Sequence, residues 1–407
     1  MVGVNREIDN WRQSTDEKQK SYHYARAEKY AKQVSNSIVK NVQGEGKDET
    51  SQFFNNSAGG LITGLILLVS QYGAEDERHI ISVFKLVIEL NGLAGQQDPE
   101  NGSQKSKLQE LLSHVDDDRI TNYVGASMTA DVRTSMNIFS SALSKLTDFI
   151  DAELEQMICD HSPEISPEDF IAQPTAIFLI CPDEDSSRHF FASLFIRYFT
   201  TQLIEMAEQS PSGRLARPVL CLWDELGNMP PIKDIDSLFT AARSRGIRIL
   251  FSLQSLAQLQ KSYNRTLSDI IQDSSQMLMF TFVSPTATDT AKKLSAILGK
   301  QTVLTGSVSR GTNLGRDKSS SNFQMIGREL MTADEIMRIP IGNYIVIKSG
   351  AGNIKSKLPL YTDYLKVAKP YTATVSPEYL RVKYLTGDKI RSMAKRAEYV
   401  MTKGMFD

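Results

Sequence analysis

From about residue 170 onward the sequence predicts an α/β fold, a parallel sheet flanked by helices, and three observations carry that expectation. Apolar runs of strand length recur at Thr175 to Cys181, Val219 to Trp223, Ile249 to Leu253 and Met277 to Val283. Longer segments with helical spacing of apolar residues lie between them, the aromatic-rich stretch Arg188 to Met206 being the clearest. The run from Pro218 to Trp223 ends in two adjacent carboxylates, Asp224 and Glu225. Alternation of this kind favours a sheet with helices on both faces, whose buried strands need apolar side chains on both sides. The five aromatics of the Arg188 to Met206 helix read as core.

The N-terminal part reads differently. Residues 1 to 165 form a mostly helical domain, 166 to 369 the α/β part, and 370 to 407 a C-terminal tail. Helical periodicity covers Ala25 to Val42, Ser51 to Tyr72, His79 to Leu90, Lys105 to Val115 and Thr129 to Ile150. Turns are expected at Gly44 to Glu49, at Gly73 to Glu77 and in the polar stretch Gly95 to Gln104. The longest apolar stretch, Leu61 to Val69, is shorter than the ~20 residues that cross a bilayer, so it reads as helix core with small residues permitting close helix contact. The tail, with Lys383, Lys389, Arg391, Lys395 and Arg396, reads as a solvated helix.

The acids point to a chemistry. Ligands of open α/β sheets bind at the carboxyl ends of the strands, where Asp224 and Glu225 fall. There Asp224 can hold Mg²⁺ through its water shell, and Glu225 can orient or deprotonate the water that attacks a γ-phosphate. Next comes a helix end bearing Arg243 and Arg245, stopped at Gly246, and then a strand, Ile247 to Leu253, that carries Arg248 and closes on Gln254. An amide on the neighbouring strand suits a γ-phosphate sensor, and an arginine suits stabilisation of transition-state charge in an adjacent subunit. Two plainer roles stay open: Gln254 can cap the helix beginning near Ser255, and the arginines can be a solvated face. Pro230 and Pro231 force an extended turn after the acids.

The run WDELGNMPPIKDIDSLFTAARSRGIRILFSLQSLAQLQKSYN (residues 223–264) resembles the motor core of type IV secretion coupling proteins, the TraG/TraD-like ATPases of bacterial conjugation. Three further blocks agree in order: DTAKKLSAILGKQTV, GRELMTADEIMRIPIGNYIVIKSG and LPLYTDY, so the likeness covers about residues 120 to 365. It implies a RecA-like P-loop NTPase core with an all-helical domain on its N-terminal side. It also implies ATP and Mg²⁺ as cofactors, Asp224 and Glu225 as Walker B acids, Gln254 as sensor, and Arg243 as arginine finger with Arg245 and Arg248 as rivals. The partners implied are single-stranded DNA with its relaxase and the secretion channel proteins. The assembly implied is a homo-hexamer at the cytoplasmic face of the bacterial plasma membrane. A chromosome-segregation DNA pump shares the Walker B logic, but the Thr332-Ala-Asp-Glu-Ile element favours conjugation.

One departure is decisive. No G-x-x-x-x-G-K-[ST] occurs in the sequence, and that loop supplies the backbone amides and the lysine that cradle β- and γ-phosphates. The chain therefore reads as the part of a coupling protein that follows its Walker A half. A substrate- or relaxosome-binding remnant without catalysis is the alternative. Composition fits a soluble intracellular protein: 407 residues, 41 % hydrophobic, net charge −2. That charge excludes a globally basic nucleic-acid binder, so DNA contact falls to local loops. Thr305 to Gln324, rich in Gly and Ser, is such a loop, with Arg310, Arg316 and Lys318 as candidate phosphate contacts. The cysteines Cys159, Cys181 and Cys221 have no C-x-x-C spacing and read as small buried residues.

Overall fold

A computed structural model describes residues 1–39, 49–97, 104–160, 165–181, 188–311, 318–366 and 381–404. The helical domain contains α1 (Val2–Gln13), α2 (Glu17–Val39), α3 (Glu49–Tyr72), α4 (Ile80–Leu90), α5 (Lys107–Leu112), α6 (Asp118–Thr129), α7 (Val132–Leu146) and α8 (Ala152–Cys159). A short antiparallel ribbon, β1 (Leu93–Gln97) with β2 (Gln104–Ser106), stands where a loop was expected. The five predicted helices are present with shifted ends, and α1, α6 and α8 are additional.

Helix α3 is the centre of this domain. Leu61 to Val69 is buried throughout, packed among α1, α2, α4, α6 and α7. Fully burying a leucine or isoleucine side chain contributes about 1.5–3 kcal/mol, so this helix is the largest single source of apolar stabilisation here. Gly60 and Gly64 face α6 so closely that a Cβ at either would come within 2.6 Å of Tyr123 O or Val124 Cγ1. That is the close helix contact the small residues predict. By length and composition α3 could span a membrane, yet 67 % of its most apolar window is buried among its neighbours.

The α/β part follows. It runs α9 (Pro167–Ala172), α10 (His189–Gln209), β3 (Val219–Trp223), α11 (Ile235–Ala242), β4 (Ile247–Phe251), α12 (Leu256–Ser274), β5 (Met277–Phe280), α13 (Thr288–Leu298), β6 (Lys300–Gly311), β7 (Lys318–Glu329), α14 (Ala333–Met337), β8 (Asn343–Lys348) and β9 (Ile354–Lys357). Helix α10 belongs to both halves. Phe190 packs edge-to-face on Phe149, Arg197 donates to Ser37 Oγ (3.0 Å), and Gln33 donates to Glu205 (2.8 Å), while Ile196, Phe199 and Leu203 enter the α/β core.

Strands β3 and β4 pair in parallel, from Val219 opposite Ile247 to Trp223 opposite Phe251. One face packs with α10, α11 and α12 through Val219, Trp223, Ile247, Leu238, Leu259 and Tyr263. On the other face Leu220, Leu222 and Leu250 are 60, 64 and 54 % exposed. The expected second layer of helices is absent from this face among the described residues. Two predicted strands also need correction. Thr175 to Cys181 joins no ladder, and Phe178 and Ile180 are exposed. The run at Met277 forms β5, but it pairs antiparallel with β8 in a separate sheet completed by β9. Apolar character marks a strand without specifying its partner, which long-range packing decides.

The remaining corrections concern the later chain. The expected Gly/Ser-rich loop is largely a ribbon, β6 paired antiparallel with β7 over twelve residues. The tail is not a solvated helix. Its helix α15 (Gly387–Gly404) and the preceding segment dock on α4 and α5 with Leu385 and Ile390 fully buried. Leu385 N donates to Ser82 Oγ (3.2 Å), Gly387 N to Glu89 (3.0 Å) and Lys389 Nζ to Glu77 (2.6 Å). Basic residues suggested solvation, but the two apolar side chains decide the docking. Replacing Leu385 or Ile390 by alanine is expected to lower stability by about 2–5 kcal/mol in urea unfolding followed by circular dichroism. Unchanged unfolding in both variants would mean that the segment is not docked.

Candidate functional site

The carboxyl ends of β3 and β4 are fixed before any polar group is placed. Trp223 is buried and meets Phe239 edge-to-face, and Phe239 meets Phe251 in the same way, at centroid distances of 6.2 and 5.6 Å. Beyond the strands, Ser252 N donates to Trp223 O (3.0 Å) and Leu226 N to Ser252 O (3.1 Å). Leu226 is fully buried. The two acids therefore sit between two anchored apolar residues, on a backbone held from the neighbouring strand.

Within that frame Asp224, Glu225 and Gln254 meet. Ser252 Oγ donates to Asp224 Oδ1 (2.5 Å) and accepts from Glu225 N (2.9 Å), so one hydroxyl sets both acids. Gln254 Nε2 donates to Glu225 Oε1 (2.8 Å), and Asn228 Nδ2 donates to Oε2 (2.5 Å). Gln258 Nε2 in turn holds Gln254 Oε1 (3.0 Å). The Glu225 carboxylate is thus oriented by two neutral amides. Glu225 also has φ of +50°, a left-handed conformation that a non-glycine residue adopts at a cost of order 1–3 kcal/mol. The turn it opens is closed by Asn228 N donating to Glu225 O (2.8 Å).

The open alternative for Gln254 is settled by its neighbour. Ser255, whose hydroxyl accepts from Gln258 N (3.3 Å), caps α12, and the Gln254 side chain is turned to the acids. Ser252, Asn228 and Gln258 were not singled out from the sequence. Spacing offered a signal for two of them, since Asn228 lies three residues after Glu225 and Gln258 four after Gln254. Ser252 offered none.

The arginines lie elsewhere. Helix α11 returns the chain to the start of β3, where Val219 N donates to Gly246 O (3.1 Å). Arg243 and Arg245 are therefore at the opposite end of a five-residue strand, about 16 Å from the acids of the same chain. Arg245 is bound to Glu208 (2.8 Å), and Arg248 lies opposite Leu220 and is exposed. Arg243 is exposed, with no ion pair among the described residues. Arg310 and Lys318 stand near the far end of the β6–β7 ribbon, in register with Ser319 and Gly311, and Arg316 lies outside the described residues.

No group of three or more His, Cys, Asp or Glu among the described residues could enclose a metal. Asp224 remains exposed and has one oxygen outside the hydrogen-bond network described above. That donor set fits Mg²⁺, which keeps several waters and is held by one or two carboxylates together with substrate phosphates. It does not fit a caged structural metal. Cys221, beside the acids on β3, is inert by contrast: burial pushes its thiol up to about 11.

A short parallel pair thus carries an acid couple and an amide at its carboxyl end, an arrangement that suits the Walker B side of a RecA-like fold. The profile of the family described as type IV secretory system conjugative DNA transfer matches residues 15–387. The chain belongs to that family, and its role lies in conjugative DNA transfer. No curated protein sequence matches it significantly. Among solved structures it is similar to the bacterial conjugative coupling protein TrwBdeltaN70 in an unbound form (15 % identity, TM-score 0.56). It is equally similar to TrwB in complex with ADP and Mg²⁺ (15 %, 0.55) and with the GTP analogue GDPNP (14 %, 0.55). Each likeness covers 82 % of this chain and 68 % of the other.

Ser252→Ala removes both bonds to the acid turn and is expected to cost about 1–3 kcal/mol. Chemical unfolding followed by Trp223 fluorescence in a Trp11→Phe background measures it, and Ser252→Thr should restore most of the loss. Equal stability of the alanine variant would show that the hydroxyl does not hold the turn.

Proposed function

We propose that this chain is the Walker B part of an ATP-driven coupling protein that recruits DNA and pumps it into the conjugation channel. The observation that carries the reading is the bond from Gln254 to Glu225 across two adjacent parallel strands. Asp224 would hold Mg²⁺ through its waters. Glu225, with both oxygens already oriented, positions and accepts a proton from the water that attacks the γ-phosphate. Bound Mg-ATP supplies the phosphoryl group and the charge neutralisation. Gln254 is shared between Glu225 and the γ-phosphate position, so loss of that phosphate changes its hydrogen-bonding and is passed to α12 through Gln258.

Arg243 serves a neighbouring subunit, because its own acids lie a strand length away. ATP would then sit at subunit interfaces of a ring, as in a homo-hexamer, which agrees with Arg243 having no ion pair among the described residues. Arg310, Arg316 and Lys318 contact DNA phosphates, the DNA being single-stranded and carried with its relaxase. The channel proteins and the cytoplasmic face of the bacterial plasma membrane are the setting that conjugative transfer requires. The nucleotide complexes of TrwB support ATP and Mg²⁺ as the ligands.

The absence of G-x-x-x-x-G-K-[ST] favours a second reading, a module that binds substrate without hydrolysis. Two measurements separate them. This chain alone is expected to turn over ATP at background, since nothing in its sequence forms a phosphate cradle. In the conjugating strain, Glu225→Gln is expected to reduce transfer roughly 10²–10⁴-fold without reducing protein level. Undiminished transfer would leave only the binding module. Turnover by the isolated chain that Glu225→Gln abolishes would reveal a phosphate loop of another form.

A further inference from the structure

The β6–β7 ribbon has a two-sided character that its sequence composition conceals. Cross-strand partners share a face, so Leu304 with Met325 and Gly306 with Phe323 lie on one side, whereas Thr305 with Gln324 and Ser307 with Asn322 lie on the other. On the first side Leu304, Phe323 and Met325 are 63, 62 and 74 % exposed. A two-stranded ribbon is marginal by itself, and exposed apolar residues on it are an aggregation hazard unless they have a use.

Phe323 has a defined pose. Its ring lies against the backbone of Gly306, where a Cβ would be 2.6 Å from ring carbon Cδ1. Any other residue at position 306 would push the ring away. One side of the aromatic ring is therefore seated on the strand, while more than half of the side chain remains open to solvent.

The charge of the two strands selects the occupant. Their ionisable residues are Lys300, Arg310, Lys318 and Arg328 against the single acid Glu329. Glu329 accepts from Ser295 (3.0 Å), and Arg328 is paired with Glu335 (2.5 Å). With Glu329 in register opposite Lys300 and Arg328 paired with Glu335, the count leaves Arg310 and Lys318 as surplus positive charge in the sequence of the ribbon, in a chain whose net charge is −2. Besides Val303, Val308, Ile326 and three glycines, the rest of the ribbon is serine, threonine, asparagine and glutamine, which suit phosphate and sugar contacts. A second copy of the same basic ribbon would meet like charge.

We propose that Phe323 is a base-stacking platform for single-stranded DNA, with Leu304 and Met325 flanking it on the same face of the ribbon. Stacking on an aromatic side chain is tolerant of sequence, as a strand in transit requires. The assignment deepens the DNA-pumping reading and rests on it.

The test is anisotropy of a fluorescein-labelled oligothymidylate of about 20 nucleotides titrated with the full chain. Phe323→Leu keeps the apolar cover but removes the ring, and it is expected to weaken binding roughly five- to hundredfold with the salt slope unchanged. Phe323→Trp should retain affinity and show emission quenched by the oligonucleotide, relative to the parent chain under the same conditions. If the parent chain binds and Phe323→Leu binds equally, the platform is wrong while the transfer function stands. If Phe323→Leu instead changes the mass by light scattering and leaves DNA affinity intact, the face is a contact between copies, and the proposal is overturned. Failure of the parent chain itself to bind the oligonucleotide would overturn both this assignment and the DNA-contact part of the proposed function.

Discussion

Parallel pairing of β3 with β4 is the constraint on which the rest depends. Because Trp223 stands opposite Phe251, the residues that follow each strand emerge side by side, Asp224 and Glu225 from one and Ser252 and Gln254 from the other. Shifting the register by one residue would turn Trp223 and Phe251 out of the core and break the Ser252 bridge to both acids. The apolar packing beneath and the polar network above are therefore one structure. The left-handed backbone at Glu225 is tolerated because Ser252, Leu226 and Asn228 hold it on three sides.

The same pair of strands also shows what the described residues leave open. A parallel sheet ordinarily has both faces covered. Here α10, α11 and α12 cover one, and Leu220, Leu222 and Leu250 remain exposed on the other. No G-x-x-x-x-G-K-[ST] occurs in the sequence to supply a phosphate cradle at the carboxyl end of these strands.

Much of the site was legible because its chemistry is local in sequence. An acid pair after an apolar run, and an amide after the next, required only that neighbouring strands be adjacent in space. Resemblance to coupling proteins added the RecA-like fold, and the family match spans more of the chain than the recognised blocks did. What was not legible depended on distant partners. Ser252 carries no pattern, the Met277 run gives no hint that it will pair with Asn343–Lys348, and Leu385 and Ile390 are two apolar residues in a basic stretch. The ribbon of Lys300–Gly311 with Lys318–Glu329 reads in sequence largely as a loop because it is rich in Gly and Ser and its apolar alternation is short, Phe323-Gln324-Met325 being the clearest stretch. In α3, by contrast, the small residues and the apolar run were enough to expect a buried helix with close helix contacts.

The central claim is that Glu225 and Gln254 act as one unit across the two strands. A double-mutant cycle on unfolding free energy with Glu225→Ala, Gln254→Ala and the pair tests it most directly. The account predicts a coupling energy of about 0.5–3 kcal/mol, as for residues in one hydrogen-bond network. Additive effects, within about 0.3 kcal/mol, would contradict it.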